Sequence, residues 1–204
     1  MADATQTEVD EGARMLARHM AGEVRAFEEI VSHFGGSLYG YLARSGIERS
    51  LAEDLFQDTF MRVHVSARSY DSRYPFRVWF FTIAHNLVRS HFRKRKVRRI
   101  MTGWFRRSGG DAYSDPLPLD PADDSPGPDA MAQAKARLRW LAEAMQKLPA
   151  GPRSALLLTQ VEGFDQREAA KILDVPSATV KTWVRRGRLT LVAALEAKDT
   201  ERKS

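Results

Sequence analysis

Three side chains spaced seven residues apart mark the first stretch of this sequence that could bind nucleic acid. Trp79, Asn86 and Arg93 lie within residues 70–107, and on a helix they would share one stripe. An indole ring stacks on an unpaired base, an amide hydrogen-bonds to a base edge, and a guanidinium contacts a phosphate. The same residues would also suit the border of an ordinary core helix, so both interpretations are open at this point.

The stripe needs a helix to position it, and the surrounding apolar residues predict one. Six of them recur at helical spacing and are expected to face a core: Phe76, Phe80, Ile83, Ala84, Leu87 and Val88. From Arg89 to Arg107 the chain then carries nine lysines and arginines and no acidic residue. The like charges in such a block repel each other, and binding to a polyanion reduces this repulsion. Many charged runs, however, only interact with solvent.

Tyr70 lies in the segment that leads into this helix. Residues 66–75 have weak periodicity and end at Pro75, which disfavours a helical conformation at Tyr74. We therefore predict that this segment is a loop and that it holds Tyr70 near the start of the helix.

The first part of the chain is predicted to be less regular. Residues 1–22 are polar and are expected to be frayed or weakly helical. From Val24 to Leu42, apolar residues recur at helical spacing. Gly35 and Gly36 weaken that pattern, so the segment is predicted to be either two helices or one helix with a bend.

A second candidate surface lies on a helix predicted to begin at Ser50. Ser50 and Glu53 have the spacing of a capping box, in which each side chain binds a backbone N–H at a helix start. The apolar positions that follow would face a core and leave four residues more exposed: Asp54, Gln57, Asp58 and Met61. A patch of this kind is commonly only a hydrated helix face, but it would also suit docking to a basic partner.

The composition reverses after the basic run. Residues 108–129 contain six aspartates, five prolines and no basic residue. Such a segment cannot bury enough apolar surface to order itself, so it is predicted to be a flexible linker, stiffened locally by proline. It would act either as an inert tether or as a negatively charged segment that occupies a nucleic-acid channel. Two further helices are predicted beyond it, one in residues 130–148 and a short one around 154–161.

The most specific pattern in the chain covers residues 164–195. Asp165 and Glu168 can cap a first helix, residues 174–176 make a tight turn, and Ser177 can cap a second helix. The second helix carries its basic and hydroxyl-bearing residues away from its apolar side: Thr179, Lys181, Thr182, Arg185, Arg186 and Arg188. This arrangement predicts a helix-turn-helix whose second helix enters the major groove. An ordinary helical hairpin with a hydrated face is the alternative.

Composition and motifs argue against catalysis. The chain has no cysteine, and its five histidines show no metal-ligand spacing. There is no phosphate-binding glycine loop and no nucleophile elbow. The first 20 residues lack the apolar run of a signal peptide, and no stretch is long and apolar enough for a membrane span. We therefore expect a cytoplasmic, all-α protein of two small helical domains, with no enzymatic activity, cofactor, metal or membrane insertion.

Two helical modules of this kind, joined in this order by an acidic linker, resemble the extracytoplasmic-function sigma factors of bacterial RNA polymerase. The resemblance covers residues 27–99, as region 2, and residues 138–195, as region 4. SLAEDLFQDTFMRVH is similar to the polymerase-docking helix of the family, and FRVWFFTIAHNLVRSHFRKRK is similar to its promoter-melting helix. VPSATVKTWVRRGR is similar to the helix that recognises the −35 element.

The resemblance implies a role for each candidate residue. Docking on the polymerase would fall to Asp54, Gln57, Asp58 and Met61. Recognition and melting of the −10 element would involve Tyr70, Trp79, Asn86, Arg89 and Arg93. Contacts with the −35 element would come from Thr179, Lys181, Thr182, Arg185 and Arg186. Family members often carry an aspartate where this chain has Ser90, and that difference leaves the −10 sequence preference open.

The implied function is that of an alternative sigma factor that binds core polymerase and directs promoter-specific initiation. The implied partners are the β′ clamp helices and β flap of the polymerase, promoter DNA and an anti-sigma factor. The expected division of the chain is as follows: extension 1–22, region 2 at 23–107, linker 108–129 and region 4 at 130–204. The competing interpretation is a helix-turn-helix regulator that does not join the polymerase core.

Overall fold

A computed structural model describes the backbone of residues 3–103 and 140–201, and the side chains of residues 11–95 and 140–197. The predicted linker lies outside the described residues. Within the described ranges the chain contains helices and no strands, which confirms the all-α prediction. None of the described helices is long and apolar enough to cross a membrane.

Four helices form a first unit: α1 (Asp3–Met20), α2 (Val24–Arg44), α3 (Arg49–Ser66) and α4 (Phe76–Gly103). The described helices of the second unit are α5 (residues 140–147), α6 (Ala150–Leu156), α7 (Gln166–Leu173) and α8 (Ser177–Glu201). A single 3₁₀ turn follows α3, and a wider π-helical turn, Leu157–Val161, follows α6. The short helix predicted around 154–161 therefore begins earlier, at Ala150, and its second half is π-helical.

Aromatic side chains form much of the core of the first unit. Phe76, Phe80 and Phe81 of α4 are fully buried, as is Tyr41 of α2. The Phe34 and Phe76 ring centroids lie 5.0 Å apart, in the range where tilted rings attract each other. The predicted apolar side of α4 is confirmed, apart from the half-buried Ile83.

The start of the chain is more ordered than its polar composition suggested. Residues Asp3–Met20 form α1, where a frayed or weakly helical segment was expected. Met15 is 8% exposed and Leu16 is fully buried, so this helix is anchored in the core of the first unit. Gly12 permits the close approach, because a Cβ atom there would overlap the ring of Phe76. These contacts help to anchor a helix that is otherwise polar.

The structure settles two predictions about α2 and α3. Gly35 and Gly36 lie inside one continuous helix, so α2 is not divided. The predicted capping box of Ser50 is wrong: α3 begins at Arg49, and no side chain caps it. Glu53 instead pairs with Arg49 one turn earlier, with an Nε–Oε1 distance of 3.1 Å. An exposed pair of this kind stabilises a helix only slightly.

The helix-turn-helix prediction is confirmed, except that Ser177 is the first residue of α8 and not the residue that caps it. The carboxylate of Asp165 accepts hydrogen bonds from the backbone N–H groups of Arg167 (2.6 Å) and Glu168 (2.8 Å). The Glu168 carboxylate in turn accepts one from the Asp165 N–H at 3.0 Å, which completes the capping box. Asp174 ends α7 with φ +55°, a left-handed conformation that aspartate tolerates better than most residues. The chain then turns directly into α8.

Candidate nucleic-acid interface

The loop before α4 places one aromatic ring against another. The Tyr70 and Trp79 ring centroids lie 5.1 Å apart, and both side chains are half-buried. The Tyr70 hydroxyl donates a 2.7 Å hydrogen bond to the Tyr74 carbonyl oxygen, which holds the loop closed on itself. The predicted proximity of Tyr70 to the helix is confirmed. These two rings offer an accessible aromatic surface at the start of α4.

The polar members of the stripe follow along the exposed side of α4. Asn86, Arg89 and Arg93 are exposed, while their neighbours Leu87 and Val88 are buried. From Trp79 to Arg93 the stripe extends about 21 Å at the rise of an α-helix. Aromatic, amide and guanidinium groups thus succeed each other over the length of several nucleotides. Such a surface can hold a single strand by stacking and by phosphate contacts.

The patch predicted on α3 is exposed as a whole. Leu55, Thr59 and Phe60 face the core. The four candidate docking residues all lie on the opposite side: Asp54, Gln57, Asp58 and Met61. Sequence reasoning missed Val65, which is 75% exposed one helical turn beyond Met61. An apolar pair beside two carboxylates is a surface that suits a partner with both apolar and basic side chains.

Helix α8 presents most of its predicted contact residues to solvent. Val180, Val184 and Gly187 are buried, and a Cβ atom at Gly187 would overlap Leu156 of α6. The exposed residues include four of the five −35 candidates: Lys181, Thr182, Arg185 and Arg186. The fifth candidate, Thr179, is half-buried. Its position follows from the tight turn before α8, because its N–H donates to the carbonyl of Pro176 at 2.9 Å.

Sequence reasoning also missed the residues that join the two units. Arg77 of α4 reaches Glu162 in the turn after the π-helical segment, with an Nη2–Oε2 distance of 3.6 Å. The same nitrogen donates to the backbone carbonyl of Glu162, and the guanidinium carbon lies 4.5 Å from the centroid of the Phe164 ring. The only sequence signal was an arginine placed between the apolar residues at the start of α4.

Glu162 is a buried carboxylate, 7% exposed. Burial raises its pKa, and the nearby charges of Arg77 and Arg44 act in the opposite direction. The side chain of Ser37 is a further hydrogen-bond partner. All three partners belong to the first unit, so the carboxylate is satisfied across the boundary between the units.

A buried histidine lies at the same boundary. The Tyr41 hydroxyl is 3.0 Å from Nδ1 of His85, and the Ser154 hydroxyl of the second unit is a further partner of Tyr41. Burial lowers the pKa of His85 to about 4, with a smaller effect from Arg89. The imidazole is therefore neutral near pH 7. His85 is a packing residue of the core.

Comparison with known families agrees with this architecture. The family model for Sigma-70 region 2 matches residues 16–98, and that for Sigma-70 region 4 matches residues 138–191. The chain is 33% identical to the RNA polymerase sigma factor CnrH of Cupriavidus metallidurans, over 95% of this chain and 98% of that protein. It is 29% identical to the ECF RNA polymerase sigma factor SigW of Bacillus subtilis, over 83% of this chain and 89% of that protein.

Solved structures show the same fold. A structure of CnrH in complex with the cytosolic domain of CnrY matches with a TM-score of 0.65 and 28% identity, covering 92% of this chain and 99% of that one. The sigma factor RpoE of Bartonella quintana, in complex with the anti-sigma factor NepR, matches with a TM-score of 0.66 and 24% identity. The match covers 85% of this chain and 98% of that one. By the order of its two regions and its similarity over nearly the whole chain, this protein belongs to the extracytoplasmic-function family of RNA polymerase sigma factors.

Proposed function

We propose that this sigma factor uses three separate surfaces, one for polymerase and two for promoter DNA. One observation carries the proposal: each surface is the exposed side of a helix whose opposite side is buried. Helix α3 exposes Asp54 and Met61, α4 exposes Asn86, and α8 exposes Arg186. The rigid core beneath each helix would fix the position of these side chains, as recognition requires.

The −10 element would be recognised on α4 and the loop before it. Extruding a base from the duplex costs a few kcal/mol. Stacking on an aromatic ring returns about 1–3 kcal/mol per base, so the rings of Tyr70 and Trp79 can roughly offset one extrusion. Asn86 would then distinguish the extruded base by hydrogen bonds to its edge. The sigma factor would make no covalent bond itself, and catalysis would remain with the polymerase.

The basic end of α4 would supply attraction that does not depend on sequence. Arg89, Arg93, Lys94 and Arg95 are exposed along this helix. Each phosphate that they neutralise releases counterions, so binding should weaken steeply as salt rises. Helix α8 would add sequence recognition at the −35 element, where an arginine or lysine can bind two acceptors of a guanine in the major groove.

The partners and boundaries follow the two units. Residues 23–107 would dock on the β′ clamp helices and melt the −10 region, and residues 130–204 would bind the β flap and the −35 element. Since α1 packs in the first unit, the extension at 1–22 would act with region 2. CnrH and the Bartonella RpoE each form a complex with a second protein, and we infer an anti-sigma partner here as well. The site of action would be the cytoplasm.

Run-off transcription with purified core polymerase tests the function directly. The full chain, added to core enzyme free of other sigma factors, should give promoter-specific transcripts. A variant with Asp54→Lys and Asp58→Lys should give few such transcripts, because the charges of two proposed polymerase-docking residues are reversed. If the wild-type chain supports transcription only when another sigma factor is present, it is a regulator and the proposal fails.

A further inference from the structure

A third ring, that of Phe76, lies behind the accessible rings of Tyr70 and Trp79. Phe76 is fully buried, whereas the other two side chains are half-buried. Its ring centroid lies 5.8 Å from that of Tyr70, edge to face, and 5.7 Å from that of Trp79. Each of the three rings therefore contacts the other two. Since Phe76 belongs wholly to the core, its position determines where the two accessible rings lie.

Helix α1 packs directly against the ring of Phe76. A Cβ atom at Gly12 would lie only 2.4 Å from Cδ1 and 2.8 Å from Cγ of that ring. The same Cβ atom would lie 3.0 Å from Cζ of Phe34, whose ring centroid is 5.0 Å from that of Phe76. The backbone of α1 thus occupies the space that any side chain at position 12 would need, and it leaves the Phe76 ring no room to shift towards it.

Helix α1 also contacts the turn that leads to Tyr70. The 3₁₀ turn Ala67–Ser69 immediately precedes Tyr70, and it lies against α1. Ala67 in this turn is 4% exposed. Met15 and Leu16, one helical turn beyond Gly12, hold α1 in the core. One helix therefore supports both segments that carry the accessible rings, the turn before Tyr70 and the start of α4.

We propose that α1 is a positioning element of the −10 base site, in which Gly12 seats Phe76 and Phe76 sets the distance and angle between the rings of Tyr70 and Trp79. The inference rests on the proposed function and deepens it, because it gives the first helix of the chain a role in promoter opening. Gly12 and Phe76 are both buried, so they act through the two accessible rings and not by contact with DNA.

Base stacking needs such support because it depends on geometry. Recognition requires that the contacting groups be held within about 0.5 Å of their productive positions. With alanine at position 12, the Phe76 ring or the α1 backbone must move by about 1 Å, since ordinary van der Waals contact begins at 3.4 Å. A movement of that size passes to the two rings packed on Phe76. The docking patch of α3 faces away from the core and should keep its position.

Binding of a single strand by the holoenzyme tests the proposal. The full chain is assembled with core polymerase, and the probe is a labelled non-template oligonucleotide with the −10 element of a promoter that the wild type transcribes. Gly12→Ala should lower the affinity for this strand about fivefold or more, because stacking contributes strongly for each base. The affinity for core polymerase should remain near the wild-type level.

Gly36→Ala is the matched control. Gly36 also lies within a helix, and a Cβ atom there would meet nothing within 4 Å. The substitution makes the same change in helix propensity as Gly12→Ala. It should leave the affinity for the strand unchanged.

A double-mutant cycle tests whether Gly12 acts through Phe76. Phe76→Leu keeps an apolar side chain in the core but removes the ring, so it should also lower the affinity for the strand. Adding Gly12→Ala to Phe76→Leu should cause little further loss, because the two positions are in contact and leucine leaves room for the new Cβ atom. Independent, multiplying losses would overturn the proposal. Phe76→Leu adds no atoms to the core, so unchanged strand affinity in this variant overturns the proposal even if Gly12→Ala fails to fold.

A fluorine label reports the surroundings of the Trp79 ring itself. The chain has four tryptophans, and Trp79→Phe assigns the NMR signal of 5-fluorotryptophan at this position. In the free chain, Gly12→Ala should shift the Trp79 signal and leave that of Trp183 in place, whereas Gly36→Ala should shift neither. General destabilisation would not move one signal selectively.

The outcomes separate the role of α1 from the base site. The proposal fails if Gly12→Ala binds the strand as the wild type does with an unmoved Trp79 signal. It also fails if strand and polymerase affinity fall in parallel, as general destabilisation predicts. Failure of the proposed function looks different, because Tyr70→Ala and Trp79→Ala would then bind the strand normally. If those two variants lose affinity while Gly12→Ala and Phe76→Leu retain it, the base site stands and the role of α1 is wrong.

Discussion

The Tyr41 hydroxyl lies 3.0 Å from Nδ1 of His85, and both side chains are buried where α2 and α4 meet the second unit. Burial raises the pKa of Tyr41 and lowers that of His85 to about 4. Both groups are thus neutral at physiological pH. The pair satisfies two polar groups inside the core, and it remains favourable only while the imidazole carries no proton.

The stability of the protein should therefore fall in mild acid. An unfolded histidine titrates near 6.5, whereas His85 in the folded chain titrates near 4. Below pH 6.5 the unfolded state takes up a proton that the folded state does not, so stability present above pH 6.5 is lost as the pH falls towards 4. The full loss is on the order of 3 kcal/mol. Chemical denaturation at several pH values measures it.

Two histidine variants separate this effect from the other titrating groups. His85→Gln keeps a hydrogen-bonding side chain without a titrating ring, so the wild type should lose its stability advantage over it between pH 6.5 and 4. His33→Gln, at an exposed position of α2, should follow the wild-type curve. If the difference in unfolding free energy between the wild type and His85→Gln stays constant over this pH range, His85 is not the group responsible for the loss of stability.

Promoter opening should depend on the accessible rings and amide at α4. Asn86→Ala and Tyr70→Ala should reduce opening of a duplex promoter roughly tenfold each, since each removes about 1–3 kcal/mol of base contact. Binding to core polymerase should stay near the wild-type level. Permanganate footprinting on duplex and pre-melted templates measures the effect. Normal opening of duplex promoters by both variants would show that the base-binding site lies elsewhere.

Recognition of the −35 element should depend on individual residues of α8. Arg186→Ala and Lys181→Ala should each weaken holoenzyme binding to a matched promoter by about 1–3 kcal/mol, if they contact bases. Arg188→Ala is the matched control, because Arg188 already donates to the side chain of Gln160. Binding is compared on matched and scrambled −35 sequences at several salt concentrations. Equal losses of affinity for the matched and the scrambled sequence would identify these residues as phosphate contacts.

Polymerase docking should depend on the exposed patch of α3. Met61→Ala and Asp58→Lys should each raise the dissociation constant for core polymerase about tenfold, by loss of apolar contact and by like-charge repulsion. Glu53→Ala is a suitable control, because this carboxylate is already paired with Arg49 on the same helix. Competition with a labelled sigma factor measures the affinity. Unchanged affinity in both docking variants would move the interface away from this helix.

Local signals in the sequence predicted some elements well. The Asp165–Glu168 capping box, the turn at Asp174 and the buried side of α4 all arise from residues within a few positions of each other. The Ser50–Glu53 spacing shows the limit of such signals, since it matches a capping box by chance. Arg49 lies four residues before Glu53 and carries the opposite charge, and the carboxylate pairs with it.

By itself, the sequence determined the helical class, the order of the two sigma regions and the exposed side of each candidate helix. These properties follow from periodicity, capping and charge, each of which acts between near neighbours. Only the tertiary structure decided that α1 docks through Met15 and Leu16, and that Arg77 meets Glu162 across 85 positions of the chain. Contacts of this second kind depend on how whole helices pack, and the spacing of residues along the chain carries no record of that packing.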